Sequence, residues 1–377
     1  MDQGGIEMIR GEQLVQWMEE WAPKHLAMPE DRIGLQVGRI DRPIRRIMVT
    51  LDLLENVADE AVEKGVDLII SHHPLIYHPL KQIRTDLSQG RIVSKLLKND
   101  IAVYVSHTNF DAAEGGMNDL MADRLGLIDP EVLSPSYTEE LRKIVVFVPQ
   151  NYEEQVFQAL TEAGAGWIGK YSHCTFQAEG IGTFLPRAGS HPFIGEEGRV
   201  EKVSEIRMES IIRKDSLKKV ISAMLKAHPY EEVAYDVYPV EQTGKVYGVG
   251  RIGRLDPPLS LRELAIKVKE RFSLQGVRMV GDTNRLVKKV AVLGGSGRDF
   301  IAEAANRGAD VYITGDIGYH DAHEAMSRNL ALIDGGHIME KIMKEGVTQF
   351  LMKKIREVDL ETEIFPSEAR TDPFNFL

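Results

Sequence analysis

Short unbroken apolar runs alternate with stretches of helical period over most of this chain. Ile47-Met48-Val49, Leu68-Ile69-Ile70, Ile101-Ala102-Val103-Tyr104-Val105, Val290-Ala291-Val292, Val311-Tyr312-Ile313 and Leu330-Ala331-Leu332-Ile333 are such runs. A strand buried on both faces reads as continuous apolarity, so these segments predict parallel strands under helices, an α/β fold.

The pattern contains a repeat. The stretch from Arg46 to Ser71 returns from Lys289 to Thr314, an offset of 243 residues, with a strand, a helix, a turn (Gly65-Val66-Asp67, then Gly308-Ala309-Asp310) and a second strand. Each copy is a βαβ unit, which predicts two similar α/β lobes. In such sheets ligands gather beyond the carboxyl ends of the strands. His72-His73 stands at that rim in the first copy and Gly315-Asp316 in the second. A further strand, 101–105, runs into Ser106-His107-Thr108-Asn109-Phe110-Asp111. In the second lobe, Leu330–Asp334 ends at Gly335-Gly336, and His337 opens a long amphipathic helix with apolar positions at Ile342, Met343, Val347, Phe350 and Leu351. Glu340 falls in its first turn, on the face of His337.

From Pro130 to Thr243 the rhythm changes. Strands near 143–149, 173–176, 203–209 and 233–238, with helices through Val156 and Leu160 and over about 217–228, give the order βαβ–βαβ of a ferredoxin-like α+β module. The division expected is 1–129 for the first lobe, 130–243 for the insertion, with a mobile glycine-rich loop from Gly180 to Gly198, and 244–377 for the second lobe. The two lobes would form one domain that the insertion interrupts.

Composition narrows the class. A length of 377 residues suits two or three domains, and the single cysteine, Cys174, excludes an intramolecular disulfide and Cys-rich zinc ribbons. No apolar run approaches the ~20 residues that span a membrane, and Met1 to Arg10 lacks the basic-then-apolar order of a signal peptide, so a cytoplasmic protein without a membrane partner is expected. A net charge of −11 argues against broad binding to nucleic acid.

The candidate chemistry lies at the rim. His72, His73, Asp111, His337 and Glu340 are the imidazoles and carboxylates that divalent metals accept, and a set with carboxylates able to bridge suits two ions, zinc first, with manganese, iron or cobalt as alternatives. Adjacent strand residues point to opposite faces, so His72 and His73 share a site only if the strand has ended, as Pro74 suggests. Each metal would take one of these imidazoles, Asp111 and His337 would be divided between the two, and Glu340 would bridge. Any one of these histidines alone would read as a hydrogen-bonded strand-end residue. It is the set that argues for metal.

The same residues carry a resemblance. Asp31 to Gly38, Ser71-His72-His73-Pro74, Ser106 to Ala112, Thr314-Gly315-Asp316 with Tyr319-His320, and Gly336-His337 with Glu340 resemble the motifs of the NIF-three-like proteins, also called GTP cyclohydrolase 1 type 2 homologues, in their long bacterial form. That resemblance covers nearly the whole chain. It implies a PII-like or CutA-like insertion, a dinuclear site on the five residues just named, and a toroidal homohexamer with sites facing an internal cavity. In short members of the family the late His and Glu stand four apart, whereas here they stand three apart.

Other residues admit two readings each. His107 would orient a ligand or move protons, or else cap a strand end. His320 and His323 share a helical face, with a substrate or proton-transfer role expected for His320 and a structural one for His323. Gly294-Gly295-Ser296-Gly297 would cradle a phosphate or form a plain turn. His228-Pro229-Tyr230-Glu231-Glu232 reads as a surface turn, with a small-ligand site as the alternative, and Cys174 as a packing residue. The activity expected is metal-assisted hydrolysis of a nucleotide-like substrate, the resemblance pointing to opening of the guanine imidazole ring of GTP, with His107 and His320 as proton-transfer groups. The alternative is a non-catalytic metal-binding scaffold whose insertion senses a small molecule.

Overall fold

A computed structural model describes residues 8–377, so most of the segment read for a leader, Met1 to Arg10, lies outside the described residues. The chain forms two compact units, one from residues 1–137 with 247–377 and one from Thr138–Val246. It enters the second along the strand Ile128–Pro149 and leaves along Tyr235–Ser260, so the limits 130 and 243 fall inside strands.

In the first unit, one sheet has the order Gly34–Val37, Ala102–Val105, Leu68–Ser71, Arg46–Thr50, Glu363–Pro366, parallel except at the first edge. In the other, Leu286–Ser296, Val311–Gly315 and Ala331–Asp334 run parallel, with antiparallel Tyr235–Ser260 and Arg278–Val280 beside them. The fold is thus mixed α/β with two sheets.

The repeat has a physical cause at each turn. Gly65 and Gly308 adopt left-handed φ of 61° and 75°, which lets the chain reverse after the helix. The following aspartates then fasten the first strand of each unit. One Asp67 carboxylate oxygen accepts from the amides of Arg45 and Arg46 at 2.8 and 3.0 Å, and Asp310 does the same for Lys288 and Lys289 at 2.9 and 2.8 Å.

Both faces of each three-stranded centre are buried, as the unbroken apolar runs require. Ile47, Val49, Leu68 and Ile70 of the first sheet and Val290, Val292, Val311 and Ile313 of the second join one core with Phe110, Met121, Leu264, Met343 and Val347. Met48, Ile69 and Val103 turn the other way, onto Val57, Ala61, Ile92 and Leu96 of the helices Glu55–Glu63 and Ser88–Lys98. Ala291, Tyr312 and Leu332 pack on Ile301, Ala304 and Ala325.

In the second unit, Thr175–Phe184, Glu201–Arg213 and Ile128–Pro149 are adjacent and antiparallel. Ile144, Val146, Val148, Met208 and Ile212 point to one face and pack against Val156, Leu160, Val220 and Met224 of the helices Glu153–Glu162 and Leu217–Ala227. The glycine-rich middle begins as strand rather than loop: Gly180 and Gly182 pair with Glu205 and Val203.

Candidate metal centre

The strand Leu68–Ser71 ends one residue before His72, and the His72 and His73 amides donate to the carbonyls of Thr50 and Leu51 at 3.1 and 2.9 Å. With regular pleating over, both imidazoles turn into one cleft, their centroids 5.1 Å apart. The carboxyl end of Ala102–Val105 delivers His107 and the short helix Thr108–Ala112, which carries Asp111. From the other sheet, Ala331–Asp334 leads through Gly335-Gly336 to His337.

His337 does not open an α-helix directly. His337–Ile342 is a 3-10 helix, and the α-helix Met343–Glu357 follows it. Residues three apart eclipse in a 3-10 helix, which sets Glu340 beside His337, Oε2 to Nε2 3.2 Å. The spacing of three in this chain therefore still yields a pair of converging side chains.

The five residues come together within the first unit. Glu340, 3 % exposed, turns Oε2 toward His73 Nε2 (3.1 Å) and His337 Nε2 (3.2 Å), and Oε1 toward His72 Nε2 (3.8 Å). Asp111 Oδ1 stands 3.5 Å from His72 Nε2. His72, Asp111 and Glu340 form one group whose donor atoms could hold a metal ion, His73, His337 and Glu340 a second, and His72, His73 and His107 a third.

Behind the cluster, every imidazole is held by its Nδ1. His72 Nδ1 donates to the Ser106 carbonyl at 2.9 Å, His73 to Asp52 at 2.6 Å, His107 to Asp31 at 2.9 Å and His337 to Asp316 at 2.7 Å. An acceptor on Nδ1 fixes the tautomer and leaves the Nε2 lone pair facing the cleft, which is how metal-binding histidines are oriented. Asp316 holds its place with a left-handed φ of 59°, a turn conformation that aspartate tolerates better than most residues.

Two observations test whether a cation fits. His72 Nε2 and Asp111 Oδ1 are buried with no hydrogen-bond partner among the described residues, and buried polar atoms are rarely left so. The charges also call for a cation. The hydrogen bond to Glu340 raises His337 to about 9, against burial. Burial pulls His73 down, but Asp52 and Glu340 overrule it and raise it to about 10. Burial lifts the Asp111 carboxyl to about 6, while for Glu340 the three surrounding imidazoles outweigh burial and hold it well below the usual range. Buried carboxylates that draw protons onto two imidazoles are short of positive charge, and the donor set suits zinc, manganese, iron or cobalt.

Beside the cluster lies a cleft of about 900 Å³, walled by Val277, Ile317, Ile338, Phe374 and Phe376, with Arg278 among its polar residues and His73 and His337 at its edge. Gly294 and Gly295, which admit a phosphate cradle or a plain turn in sequence, have a steric duty here. The strand continues through Ser296, and a Cβ on either Gly294 or Gly295 would stand 2.9 Å from Glu340 Oε1. His320 and His323 are exposed on the helix Tyr319–Ser327, their rings against Tyr319, and belong to none of the three groups. Sequence reasoning missed Asp52, although a carboxylate just past a strand's carboxyl end was the available signal. Asp31 and Asp316 stood in motifs without a role.

The model of the Duf34/NIF3 (NGG1p interacting factor 3) family matches residues 9–373. The chain belongs to that family. A Bacillus subtilis relative named GTP cyclohydrolase 1 type 2 homolog is 54 % identical over 369 residues, 98 % of this chain and 99 % of the relative. A Halalkalibacterium halodurans protein of the same name is 47 % identical over 372 residues, 99 % and 100 % of the two chains. Among solved structures, a Bacillus cereus protein related to NIF3 superposes with a TM-score of 0.92 at 49 % identity, covering 98 % of this NIF3-family chain and all of the other. Among the described residues of this NIF3-family protein, no helix is long and apolar enough to cross a membrane.

Proposed function

We propose that this NIF3-family protein is a metal-dependent hydrolase with two divalent-metal positions that share Glu340, acting on a nucleotide-like substrate. The observation that carries the reading is the division of the Glu340 carboxylate, Oε1 toward His72 and Oε2 toward His73 and His337, with Asp111 beside His72. Bound there, divalent cations supply Lewis acidity toward a carbonyl or phosphoryl oxygen and make water more acidic at neutral pH.

The chain's own residues do the rest. Asp52 and Asp316 fix the His73 and His337 rings and raise their basicity. The Asp31 carboxylate, held well below its usual range by His107 and Thr108 against the effect of burial, fixes His107 with Nε2 free to carry a proton to or from substrate. In the neighbouring cleft, the rings of Phe374 and Phe376 would pack on a planar base, and Arg278, which also pairs with Asp334, would give an anionic group its remaining N–H donors. The insertion belongs to the same proposal as a ferredoxin-like, PII-like module, supported by the antiparallel order Thr175–Phe184, Glu201–Arg213, Ile128–Pro149.

The test is the metal content of the purified protein beside Glu340→Ala, coupled to a screen of nucleotides and phosphoesters with zinc, manganese, iron and cobalt added back. Two metals per chain, lost in the variant together with turnover of one substrate, is the expected result. Two metals without turnover transfers the reading to a non-catalytic scaffold. A protein that stays metal-free after add-back overturns the proposal.

A further inference from the structure

The second unit holds a cavity of about 710 Å³ that belongs to no part of the metal site. Its position follows from strand alternation. Ile144, Val146 and Val148, with Ile206 and Met208, take the face under the helices, so Phe147, Glu205 and Arg207 point the other way. On the neighbouring edge strand the residues paired with Arg207 and Glu205, and the next of that alternation, are Ala178, Gly180 and Gly182. Small residues at three successive positions of one face leave space above the sheet. The segment after Phe184 and the turn after His228 wall that space. The turn is built rather than loose: His228 is 6 % exposed, its Nε2 donates to the Phe147 carbonyl at 2.9 Å, and its Nδ1 accepts from the Tyr230 amide at 3.1 Å.

The cavity floor carries a buried carboxylate. Glu205 is 8 % exposed, and the Tyr230 hydroxyl donates to its Oε1 at 3.1 Å. Its Oε2 lies against Gly182, where any Cβ would collide with it, and no hydrogen bond or ion pair reaches it from a described side chain. With one neutral donor and no positive partner, a buried carboxylate is incompletely compensated. Arg207 does not meet that need, because it is drawn to Glu209 at 2.9 Å and lies 6.0 Å from the Phe147 ring, and among the described residues no ion pair joins Arg187 to Glu205. With Glu179, Glu231 and Glu232 also lining the cavity against Arg187 and Arg207, carboxylates outnumber guanidiniums.

Three rings, Phe184, Phe193 and Tyr230, line the same cavity as this carboxylate. Phe184 and Phe193 lie 6.1 and 6.2 Å from Tyr230, tilted by 59° and 48°, so their faces surround a common space rather than stack. Ring faces attract cations, and an aromatic wall closed by a carboxylate is a receptor for an organic ammonium ion. The size lies within the range of small-molecule sites.

We propose that this cavity binds a small organic cation, an amine with an aryl or alkyl body, whose ammonium group meets Glu205 Oε2 while its body lies on Phe184, Phe193 and Tyr230. This does not rest on the metal reading, and its failure would leave that reading untouched.

The test uses the full chain and three probes of one shape, 2-phenylethylamine, 2-phenylethanol and 3-phenylpropionate, followed by titration calorimetry and ligand-observed NMR. The amine should bind saturably, at least about tenfold more tightly than the alcohol, and the carboxylate should not bind. Glu205→Gln should bring the amine down to the alcohol. Absence of saturable amine binding, equal affinity for amine and alcohol, or an advantage that survives Glu205→Gln overturns the proposal. If Glu205→Gln fails to fold, Glu205→Asp takes its place: the retreat of the carboxylate should shrink the amine's advantage, and an undiminished advantage overturns it.

Discussion

Gly315 ends the strand Val311–Gly315 directly beneath the chain that carries His337. A Cβ built there would stand 2.7 Å from Gly336 C and His337 N and 2.9 Å from the Gly295 carbonyl oxygen. All three are backbone atoms, so no side chain can rotate aside. Restoring an ordinary contact of about 3.4 Å moves the His337 backbone by about 0.7 Å. Metal ligands tolerate roughly ±0.2 Å, so Gly315→Ala should weaken metal binding by about 10- to 100-fold while costing the fold about 1–3 kcal/mol of overpacking. Competition with a chromophoric chelator gives affinity and stoichiometry, and circular dichroism of the metal-free protein confirms folding at the same temperature. Gly180→Ala is the control, since a Cβ there meets nothing within 4 Å. If Gly315→Ala bound zinc and manganese with wild-type affinity and stoichiometry, the claim that this contact positions His337 as a ligand would be wrong.

Asp31→Asn should lower turnover by about 10- to 100-fold with metal content retained, because it releases His107 without touching the five proposed ligands; loss of metal would instead make His107 a ligand. Saturating metal at about 100 times its Kd should add about 2.7 kcal/mol to unfolding stability, a gain absent in Glu340→Ala and reversed by a chelator, as followed by thermal denaturation. Glu60 accepts from the Glu368 amide, Lys64 Nζ, Ser367 Oγ and the Ala369 amide, contacts that outweigh burial and hold its carboxyl at about 2. A depressed folded pKa gives stability that is present above the unfolded value and fades as pH falls toward the folded one. Glu60→Gln should therefore cost about 2–3 kcal/mol at pH 7 in denaturant titrations, a gap that narrows from about pH 4.5 toward pH 2. Arg251 is buried against Asp119 and donates to the carbonyls of Gly248, Gly250 and Ala113; Arg251→Met should cost at least about 3 kcal/mol, and a smaller loss would show Asp119 satisfied by solvent.

The parts of this fold that could be read from sequence are those that local rules determine. Buried parallel strands read as unbroken apolar runs, and both βαβ turns of this chain use a left-handed glycine with an aspartate that fastens the strand, so Gly65-Val66-Asp67 and Gly308-Ala309-Asp310 exposed the repeat. Residues just past strand ends, such as His72, His73 and Asp111, inherit their place from that topology. The carboxylates behind the imidazoles were hidden because each contact joins different elements: Asp52 meets His73 from the adjacent strand end, and Asp31 reaches His107 across 76 positions. The 3-10 turn at His337 was invisible because helical period alone does not separate 3.0 from 3.6 residues per turn over six residues. The second cavity was legible only at one wall: the segment His228 to Glu232 admits a small-ligand site in sequence, but nothing there announces Glu205, 25 residues from Tyr230.

His73 and His337 touch at 3.2 Å across 264 positions of chain, and Glu363–Pro366 must return to pair with Arg46–Thr50 before the first sheet is complete. At ribosomal speeds of about 5–20 residues per second, roughly 13 to 50 seconds separate the synthesis of His73 from that of His337. A growing chain therefore displays His72, His73 and Asp111 long before the other two donors exist. If these residues hold metal as proposed, an ion met in that interval finds only part of the donor set, which is whole only when the chain is almost finished. On the proposed two-metal reading, the complete site belongs to a chain that is nearly finished, with only the strand Glu363–Pro366 still to join the first sheet.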